Sequence, residues 1–287
     1  MQTVQRSIVI TLSCADRPGI VKAVAEFVFE RGGDIVESHQ FGDADSGLFF
    51  MRVRVHGGAA TPPVDDLRTQ FGEVADAFGM DAEIHDEGMR PRLLLMVSKT
   101  GHCLNDLLYR WRSGLLPVDI PAIVSNHPDL APLAEWNGIP FHHIPVTKET
   151  KPEAERQMLD LAQAEGVDLV VLARYMQILS EDACKALDGR AINIHHSFLP
   201  SFKGAGPYQQ AHDRGVKLVG ATAHYVTPDL DEGPIIEQDV ARVDHAASVE
   251  DLVALGRDIE SRTLARAVLW HVQRRVLLNG HRTVVFT

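Results

Sequence analysis

The chain has 287 residues, of which 45% are hydrophobic and 23% are charged, and its formal net charge is -11. This composition is typical of a globular protein with about two domains and enough apolar material to fold without a metal or a disulfide. The acidic balance disfavours a nucleic-acid-binding protein, because phosphate contacts require clustered lysine and arginine.

The first 85 residues follow the pattern strand, helix, strand, strand, helix, strand. Ser7–Cys14 is rich in β-branched residues, and Pro18 suits the first position of the helix that follows. Gly32 and Gly33 end that helix. The order βαββαβ predicts a ferredoxin-like sandwich. The later elements are the strands DIVESHQF and LFFMRVRVH joined by a turn at 43–47, a helix after Pro62 and Pro63, and a short strand ending near His85.

Three sequence features of this domain occur together: DRPGIV at 16–21, a glycine pair before DIVES, and FFMRV at 49–53. With them, residues 1–85 resemble an ACT domain, a small module that senses amino acids. The resemblance implies a homo-oligomer, a dimer or tetramer, and an amino-acid effector such as glycine or methionine. The alternative is that Pro18 and Gly19 only shape a tight turn. The effector would contact Asp16, Arg17, Pro18, Gly19 and Ile20.

A polar stretch with breakers at Gly88 and Pro91 predicts a linker over residues 86–91. After it, RLLLMVS is continuously apolar, as expected of a strand buried on both faces of a parallel sheet. Short apolar runs then alternate with helical stretches, which predicts a doubly wound, mostly parallel α/β domain over residues 92–287. The predicted strands are RLLLMVS, IPAIVSN, a patch around FHHIPV, DLVVLA and AINI, with helices near 153–164 and 180–187.

Two strands, a long helix and a short tail complete the predicted second domain. The strands LVGATAHYV and PIIEQDVARV are separated by a polar loop. The helix is predicted from about Val249 to Val276 because its apolar residues recur at helical spacing. The tail HRTVVFT carries no predicted element.

Cysteine usage and hydropathy indicate where such a protein works. The cysteines are widely spaced and fit no zinc pattern, which indicates a reducing compartment. The start MQTVQRSIVITLSC lacks the features of a signal peptide, and no run approaches the roughly 18 apolar residues of a membrane span. We therefore expect a cytoplasmic protein without a membrane partner. The cysteines are Cys14, Cys103 and Cys184.

The densest group of polar residues suited to chemistry lies in AINIHHSFLPSFKGAGPY, residues 191–208. Asn193, His195 and His196 come at the carboxyl end of a predicted strand, where open α/β sheets bind ligands. Alternation along the strand places Asn193 and His195 on one side and His196 on the other. A converging amide and imidazole suit a carbonyl that becomes an oxyanion. The alternative is a pair of buried histidines with satisfied hydrogen bonds.

The loop VTPDLDEGPII at 226–236 offers the carboxylates of Asp229, Asp231 and Glu232. A carboxylate beside His195 would raise the pKa of the imidazole and orient a water. Spacing alone does not show which of the three reaches His195, and on the residues alone a solvated turn with Gly233 and Pro234 is the favoured interpretation.

The motifs NIHHSFLPSFKG, GATAHYV and DLDEGPIIEQ, in this order and spacing, resemble the catalytic domain shared by folate-dependent formyltransferases and formyltetrahydrofolate deformylases. The resemblance covers the chain from about residue 92 to the C-terminus. It implies that Asn193, His195 and Asp231 are catalytic, with Asp231 preferred to Asp229. His224 occupies the position of a second histidine of the pattern.

The same resemblance implies a folate pocket. ARYMQIL at 173–179 resembles the segment that contacts the pterin, and Lys203 either meets the glutamate tail or is a solvated loop lysine. Cys103 is expected to line the pocket and not to act as a nucleophile, because hydrolysis needs no covalent step. The residues predicted to line the pocket are Arg174, Tyr175, Met176, Ile178, Leu179, His102, Cys103, Lys203, Gly204 and His224.

The loop after the first strand of this domain separates members of the superfamily. Glycinamide ribonucleotide formyltransferases carry a glycine, serine and asparagine loop there that cradles the substrate phosphate, whereas this chain has SKTGHCLNDLL. The motifs HCL, NIHHSFLPSF, GATAHYV and DEGPIIEQDV, together with the ACT-like domain, are similar to the deformylases. Methionyl-tRNA formyltransferases carry a further C-terminal tRNA-binding domain, for which we expect no room here.

The resemblance therefore implies hydrolysis of 10-formyltetrahydrofolate to formate and tetrahydrofolate, which would balance one-carbon folate pools for purine biosynthesis. Asp231 would pair with His195 and position a water, while Asn193 and His195 stabilise the oxyanion. Folate is the substrate, and we expect no metal and no tightly bound cofactor. Two alternatives remain: formyl transfer to an amine such as glycinamide ribonucleotide, and a non-catalytic sensor of folate and an amino acid.

Overall fold

The structure is a computed structural model that describes residues 6–199 and 207–287. Within these residues the chain forms two compact units. One is built from residues 6–90 and Gln273–Thr287, and the other is Pro91–Val272. The sequence places residues 273–287 in the second domain, whereas in the structure they belong to the first unit. In the described part of the chain, no helix is both long and apolar enough to cross a bilayer.

The first unit opens with six elements in the predicted order: β1 (Arg6–Ala15), α1 (Ile20–Glu30), β2 (Gly33–Asp43), β3 (Leu48–Gly57), α2 (Val64–Phe78) and β4 (Asp81–Asp86). Strand β1 pairs antiparallel with both β3 and β4, and β2 pairs with the far side of β3, which gives the order β2-β3-β1-β4. This order confirms the predicted ferredoxin-like sandwich.

One face of this sheet packs on α1 and α2. Alternate side chains of β1 and β3 point to that face, where Ile10 and Val53 are almost fully buried with Val24 of α1. Phe27 and Phe71 join the two helices through an edge-to-face contact with ring centroids 4.9 Å apart. Burial of each such side chain contributes about 1.5–3 kcal/mol, so the apolar stripes of the helices stabilise the sandwich.

Helix α1 begins at Ile20, later than the predicted start at Pro18. Gly19 precedes the helix with a φ of 102°, a left-handed conformation, so Pro18 lies in the turn before the helix. Any side chain at Gly19 would be strained in this conformation. In the same turn the guanidinium of Arg17 lies 4.5 Å from the centroid of the Phe78 ring.

The second unit alternates strands and helices, as predicted. Its elements are β5 (Arg92–Val97), α3 (His102–Arg112), β6 (Asp119–Ser125), α4 (Ala131–Trp136), β7 (Phe141–His143), α5 (Lys151–Ala164), β8 (Leu169–Leu172), α6 (Glu181–Ala186), β9 (Ala191–His195), α7 (Pro207–Asp213), β10 (Leu218–Tyr225), β11 (Ile235–Arg242) and α8 (Val249–Val272).

These strands form one sheet in the order β11-β10-β9-β8-β5-β6-β7. The pairs from β9 through β8, β5 and β6 to β7 are parallel, and β10 and β11 extend the sheet with antiparallel pairs. The mostly parallel sheet confirms the predicted α/β fold. From β5 the chain builds one side and then returns to build the other, so the topological switch point lies between β5 and β8. Open α/β sheets bind ligands at such a point.

The segment SKTGHCLNDLL, predicted as a loop, is largely helical, because α3 begins at His102. Cys103, Leu104, Leu107 and Leu108 are buried on one face of this helix. Their spacing is that of an amphipathic helix. Only the part before His102 remains a loop.

Helix α8 ends at Val272, before the predicted end at Val276. Arg274 follows with a φ of 56°, a left-handed conformation that does not continue a helix. The chain then forms a hairpin of β12 (Val276–Asn279) and β13 (Arg282–Val285), where only a helix end and a tail were predicted.

The hairpin is bound to the first unit through Asp43 at the end of β2. Asn279 and Arg282 both donate to Asp43 Oδ2, at 2.7 and 2.9 Å. Arg275 pairs with Glu37 of β2 at 3.0 Å. These contacts explain why the last residues group with the first unit.

Candidate active site

Asn193 and His195 lie on the same side of β9 and are partly exposed, while Ile192 before them and Ile194 between them are buried. Strand β10 pairs antiparallel with β9 and places His224 directly opposite Asn193. The sheet therefore brings an amide and two imidazoles together at the carboxyl end of β9. The sequence predicts this convergence for Asn193 and His195, and the pairing with β10 adds His224.

Asp231 reaches this group from the loop between β10 and β11. Its Oδ2 lies 3.2 Å from His195 Nδ1, and its Oδ1 lies 3.6 Å from His224 Nε2. Burial raises the pKa of Asp231, but neighbouring groups, first among them the hydrogen bond from His195, outweigh burial and hold that pKa well below its usual range. The carboxylate is therefore ionised at neutral pH, and it orients the His195 ring so that Nε2 is left for a substrate.

The side chain of Asn193 is held by His224, which is buried. His224 Nδ1 lies 2.8 Å from the carbonyl oxygen of Tyr225, which can only accept, so Nδ1 carries the proton. His224 Nε2 then accepts from Asn193 Nδ2 at 3.3 Å. This hydrogen bond fixes the amide of Asn193 and leaves its second N–H to donate to a substrate oxygen.

The backbone of the loop fixes the position of Asp231. Asp231 has a φ of 57°, a left-handed conformation that aspartate tolerates better than most residues. At Gly233 a Cβ would collide with the carbonyl group of Tyr225, so the loop can pass this close to β10 only with glycine there. The N–H of Tyr225 donates to the carbonyl of Pro234 at 2.9 Å and closes the loop.

His196 lies against His195. The sequence places it on the opposite side of the strand, but β9 ends at His195 and the two rings stack with centroids 4.8 Å apart. Arg174, which follows β8, donates from Nη1 to His196 Nδ1 at 3.0 Å. Burial, the charge of Arg174 and the neighbouring His195 lower the pKa of His196 to about 4. His196 is therefore neutral at physiological pH.

A buried carboxylate on α8, Glu260, collects the remaining polar groups. Tyr208 donates to its Oε1 at 2.8 Å, and His102 Nε2 lies 2.7 Å from its Oε2. Arg174 Nε lies 3.3 Å from the same Oε2. Burial raises the pKa of Glu260, but the hydrogen bond from His102 and the charge of Arg174 outweigh burial and leave the pKa lowered. We call Glu260, His102, Arg174 and Tyr208 the Glu260 network.

The start of α3 also offers atoms of the kind that bind metals. His102, Cys103 and Glu260 each place one ligand atom within 4.8 Å of the others. Both oxygens of Glu260 are already bound by protein groups, and burial raises the pKa of the Cys103 thiol far above its ordinary value. A metal needs the thiolate, so this arrangement favours an ion network, and it disfavours Cys103 as a nucleophile.

The segment 173–179 lies at the switch point of the sheet. The N–H of Met176 donates to Ser98 Oγ, just after β5, at 2.9 Å. The side chains of Met176 and Ile178 are exposed, whereas Leu179 is buried. Burial raises the pKa of Tyr175 to about 12, so its phenol is neutral. Two predicted pocket residues, Lys203 and Gly204, lie outside the described residues.

Sequence reasoning missed Glu260 and Tyr208. A signal for Glu260 was present, because it lies among the buried residues Ile259, Thr263 and Leu264 of α8. A charged residue on the apolar stripe of a helix is almost always paired. Tyr208 packs against Gly256 of α8, where a Cβ would collide with the tyrosine hydroxyl, and no local pattern reveals this contact.

Comparisons with known proteins show the family to which the chain belongs. Residues 91–268 match the formyl transferase family. A formyltetrahydrofolate deformylase from Corynebacterium sp. (strain P-1) is 53% identical, over 96% of this chain and 97% of that protein. The crystal structure of a formyltetrahydrofolate deformylase from Burkholderia mallei has a TM-score of 0.94 and 55% identity, covering 98% of this chain and 100% of its own. Glycinamide ribonucleotide transformylase 1 from Symbiobacterium toebii has a TM-score of 0.65 and 31% identity, over 71% of this chain and 97% of its own.

Proposed function

Because the chain belongs to the formyl transferase family, and within it to the formyltetrahydrofolate deformylases, which are hydrolases, we propose that it hydrolyses 10-formyltetrahydrofolate to formate and tetrahydrofolate. The observation that carries the proposal is the His195–Asp231 pair at 3.2 Å beside the fixed amide of Asn193. In the cell this reaction would balance one-carbon folate pools and supply formate for purine biosynthesis.

The proposed reaction uses groups already held in place. The free N–H of Asn193 and protonated His195 donate to the formyl oxygen, and a water positioned by Asp231 attacks the formyl carbon. A tetrahedral intermediate forms, and its oxyanion is stabilised by these donors. When the C–N bond breaks, His195 passes its proton to the departing nitrogen of tetrahydrofolate. One proton of the attacking water replaces it on His195, the other is released to solvent, and formate leaves. A positioned acid or base contributes roughly 100- to 10,000-fold in rate.

We place the folate at the switch point between β5 and β8. The segment 173–179 supports this placement, because its backbone is bound to Ser98 while the side chains of Met176 and Ile178 are exposed. Backbone groups of this segment would contact the pterin. The guanidinium of Arg174 in the same segment contacts His196 through Nη1 and Glu260 through Nε.

The proposal of water as acceptor is supported by the region around His102. A phosphate-bearing acceptor would approach the start of α3, whose first N–H groups have no side-chain cap, past the side chain of His102. His102 Nε2 is bound to Glu260, and the buried carboxylate of Glu260 disfavours an anion nearby. An amine acceptor such as glycinamide ribonucleotide therefore becomes the rival outcome of the test.

The test is formate release from purified protein given 10-formyltetrahydrofolate without an acceptor. We expect stoichiometric formate and tetrahydrofolate, and a loss of activity of about 100-fold or more in His195→Ala. Formyl transfer only after glycinamide ribonucleotide is added would show a transformylase. Folate binding without turnover under either condition would show a sensor.

For the first unit we propose an amino-acid effector, glycine or methionine, at the turn 16–20. The proposal is supported by the left-handed Gly19 and by Arg17, which flank the start of α1. We also propose a homo-oligomer, because β2 and β4 are the edge strands of this sheet. Calorimetry with each amino acid and light scattering would test both. Absence of binding and of any rate effect would refute the effector, and a monomer would refute the assembly.

A further inference from the structure

The candidate active site contains two stacked imidazoles, and one of them is paired directly with Asp231. The rings of His195 and His196 are 4.8 Å apart and nearly parallel, at 23°. His195 is paired with Asp231 at 3.2 Å. Two positive charges at this separation repel strongly, so the pair holds one proton more readily than two. Which ring receives that proton decides whether it can be delivered to a substrate.

Arg174 discriminates between the two rings. Its Nη1 donates to His196 Nδ1 at 3.0 Å. A guanidinium has no acceptor and is always charged, so His196 Nδ1 must offer its lone pair and cannot carry a proton in this geometry. Protonation of His196 would break this hydrogen bond and place two positive groups in contact.

Arg174 is itself held in an unfavourable backbone conformation. It has a φ of 68°, which a long side chain rarely adopts and which persists only where the surroundings hold it. Glu260 supplies that hold, with Oε2 at 3.3 Å from Arg174 Nε. Glu260 is 2% exposed and is fixed in turn by His102 and Tyr208.

We propose that Arg174, held by Glu260, is a positioning residue that keeps His196 uncharged and thereby confines the proton used in the reaction to His195. This inference rests on the proposed function of His195. Neither Arg174 nor Glu260 needs to touch the substrate in this role.

The surroundings of His196 agree with this role. The groups that face it are Arg174 after β8, His195 on β9, Asp231 in the loop after β10, Glu260 on α8 and Tyr208 on α7, whose ring centroid is 6.4 Å away. Burial comes first, then Arg174 and His195, in lowering the pKa of His196 to about 4, while Glu260 and Asp231 act in the opposite direction.

The first test is an NMR titration of His196 in the full-length protein. Arg174→Met removes the charge and should raise the pKa of His196 by about one pH unit or more, whereas Arg174→Lys should keep it low. Glu260→Gln keeps an oxygen that can accept from Arg174 but removes a negative charge, so it should lower the pKa of His196 further or leave it low. A pKa that does not rise in Arg174→Met, or that rises in Glu260→Gln, would overturn the proposal. If Arg174→Met does not fold, Arg174→Gln, which also lacks the charge, is titrated in its place and should show the same rise.

The second test is the pH profile of kcat. At pH 5, relative to pH 8, Arg174→Met should lose about twofold more activity than the wild type, because a pKa raised from about 4 to about 5 leaves about half of His196 charged at pH 5. Arg174→Lys should restore the profile. Introduced into a His196→Asn background, Arg174→Met should add no pH dependence. A loss that is equal at both pH values and is not rescued by lysine would show a merely structural role.

The two proposals fail in different ways. Loss of formate release in His195→Ala tests the proposed function without reference to Arg174. The titration of His196 tests the inference without any substrate. A shifted His196 in Arg174→Met together with an active His195→Ala would leave the Arg174 effect on His196 standing and refute the role of His195, and with it the proton assignment.

Discussion

Substitution of Asp231 by asparagine, glycine or alanine separates the charge of its carboxylate from the conformation of its loop. The carboxylate lies 3.2 Å from His195 Nδ1, and unit charges at that distance interact by about 5 kcal/mol at an effective dielectric constant of 20. Because the side chain is 25% exposed, solvent reduces this to about 3 kcal/mol, which corresponds to about 100-fold in rate. All three substitutions should lower kcat for formate release by about this factor.

The same three variants should differ in stability. Asp231 has a φ of 57°, which asparagine and glycine adopt readily and which costs alanine about 1–2 kcal/mol. Asp231→Ala should therefore unfold about 3 °C below Asp231→Asn, as measured by circular dichroism on heating. The matched control is Asp229→Asn, because Asp229 is an exposed carboxylate of the same loop. It should leave kcat within about twofold.

Two results would refute this reasoning. If Asp231→Asn kept kcat near the wild-type value, the ion pair with His195 would have no part in catalysis. If Asp231→Ala and Asp231→Asn unfolded at the same temperature, the left-handed backbone would not be a source of strain. The kinetic and thermal results are independent, so each tests one part of the argument.

Gly256→Ala should lower the free energy of unfolding by about 1–3 kcal/mol in chemical denaturation, because the new Cβ would collide with the hydroxyl of Tyr208. The control is Gly72→Ala in α2, where a Cβ meets nothing within 4 Å, and it should be neutral or stabilising. The stability that ionised Asp231 provides should be complete above its unfolded-state pKa near 3.8 and be lost as the pH falls through its lower folded-state pKa. The difference in free energy of unfolding between wild type and Asp231→Asn should thus be constant above about pH 5 and shrink in acid, and a difference that grew in acid would contradict this sign. A thiol reagent should label none of the buried cysteines rapidly in the native protein and all of them after denaturation, since burial raises the pKa of each thiol; fast native labelling would show that a cysteine is accessible. These are Cys14, Cys103 and Cys184.

The elements of both units could be predicted because their patterns are local. RLLLMVS and AINI are continuously apolar and lie in the parallel part of the sheet, as β5 and β9. Asn193 and His195 could be placed together because side chains alternate along a strand and ligands bind at its carboxyl end. The resemblance to known motifs was needed to choose Asp231 over Asp229, because spacing within a loop does not show which carboxylate points towards His195.

The Glu260 network could not be predicted, because its members are far apart in the sequence. Glu260 and His102 are 158 positions apart, and their contact depends on how α3 and α8 pack. The hairpin after α8 was missed for a different reason. The pair Asn279–Gly280 between short apolar runs is a strong hairpin signal. The helical pattern of α8 obscures it, because the predicted helix runs on to Val276, the first residue of the hairpin.

The first unit is discontinuous in the chain, and this has a consequence for synthesis. Asp43 is translated long before Asn279 and Arg282, the residues that donate to it. Glu37 is likewise translated long before Arg275, with which it pairs. At about 5–20 residues per second, the intervening stretch takes at least about ten seconds to make. Throughout that time the ribosome holds an N-terminal sandwich whose β2 edge lacks its final hydrogen bonds. Residues 275–282, which are made long after the sandwich, therefore complete its β2 edge.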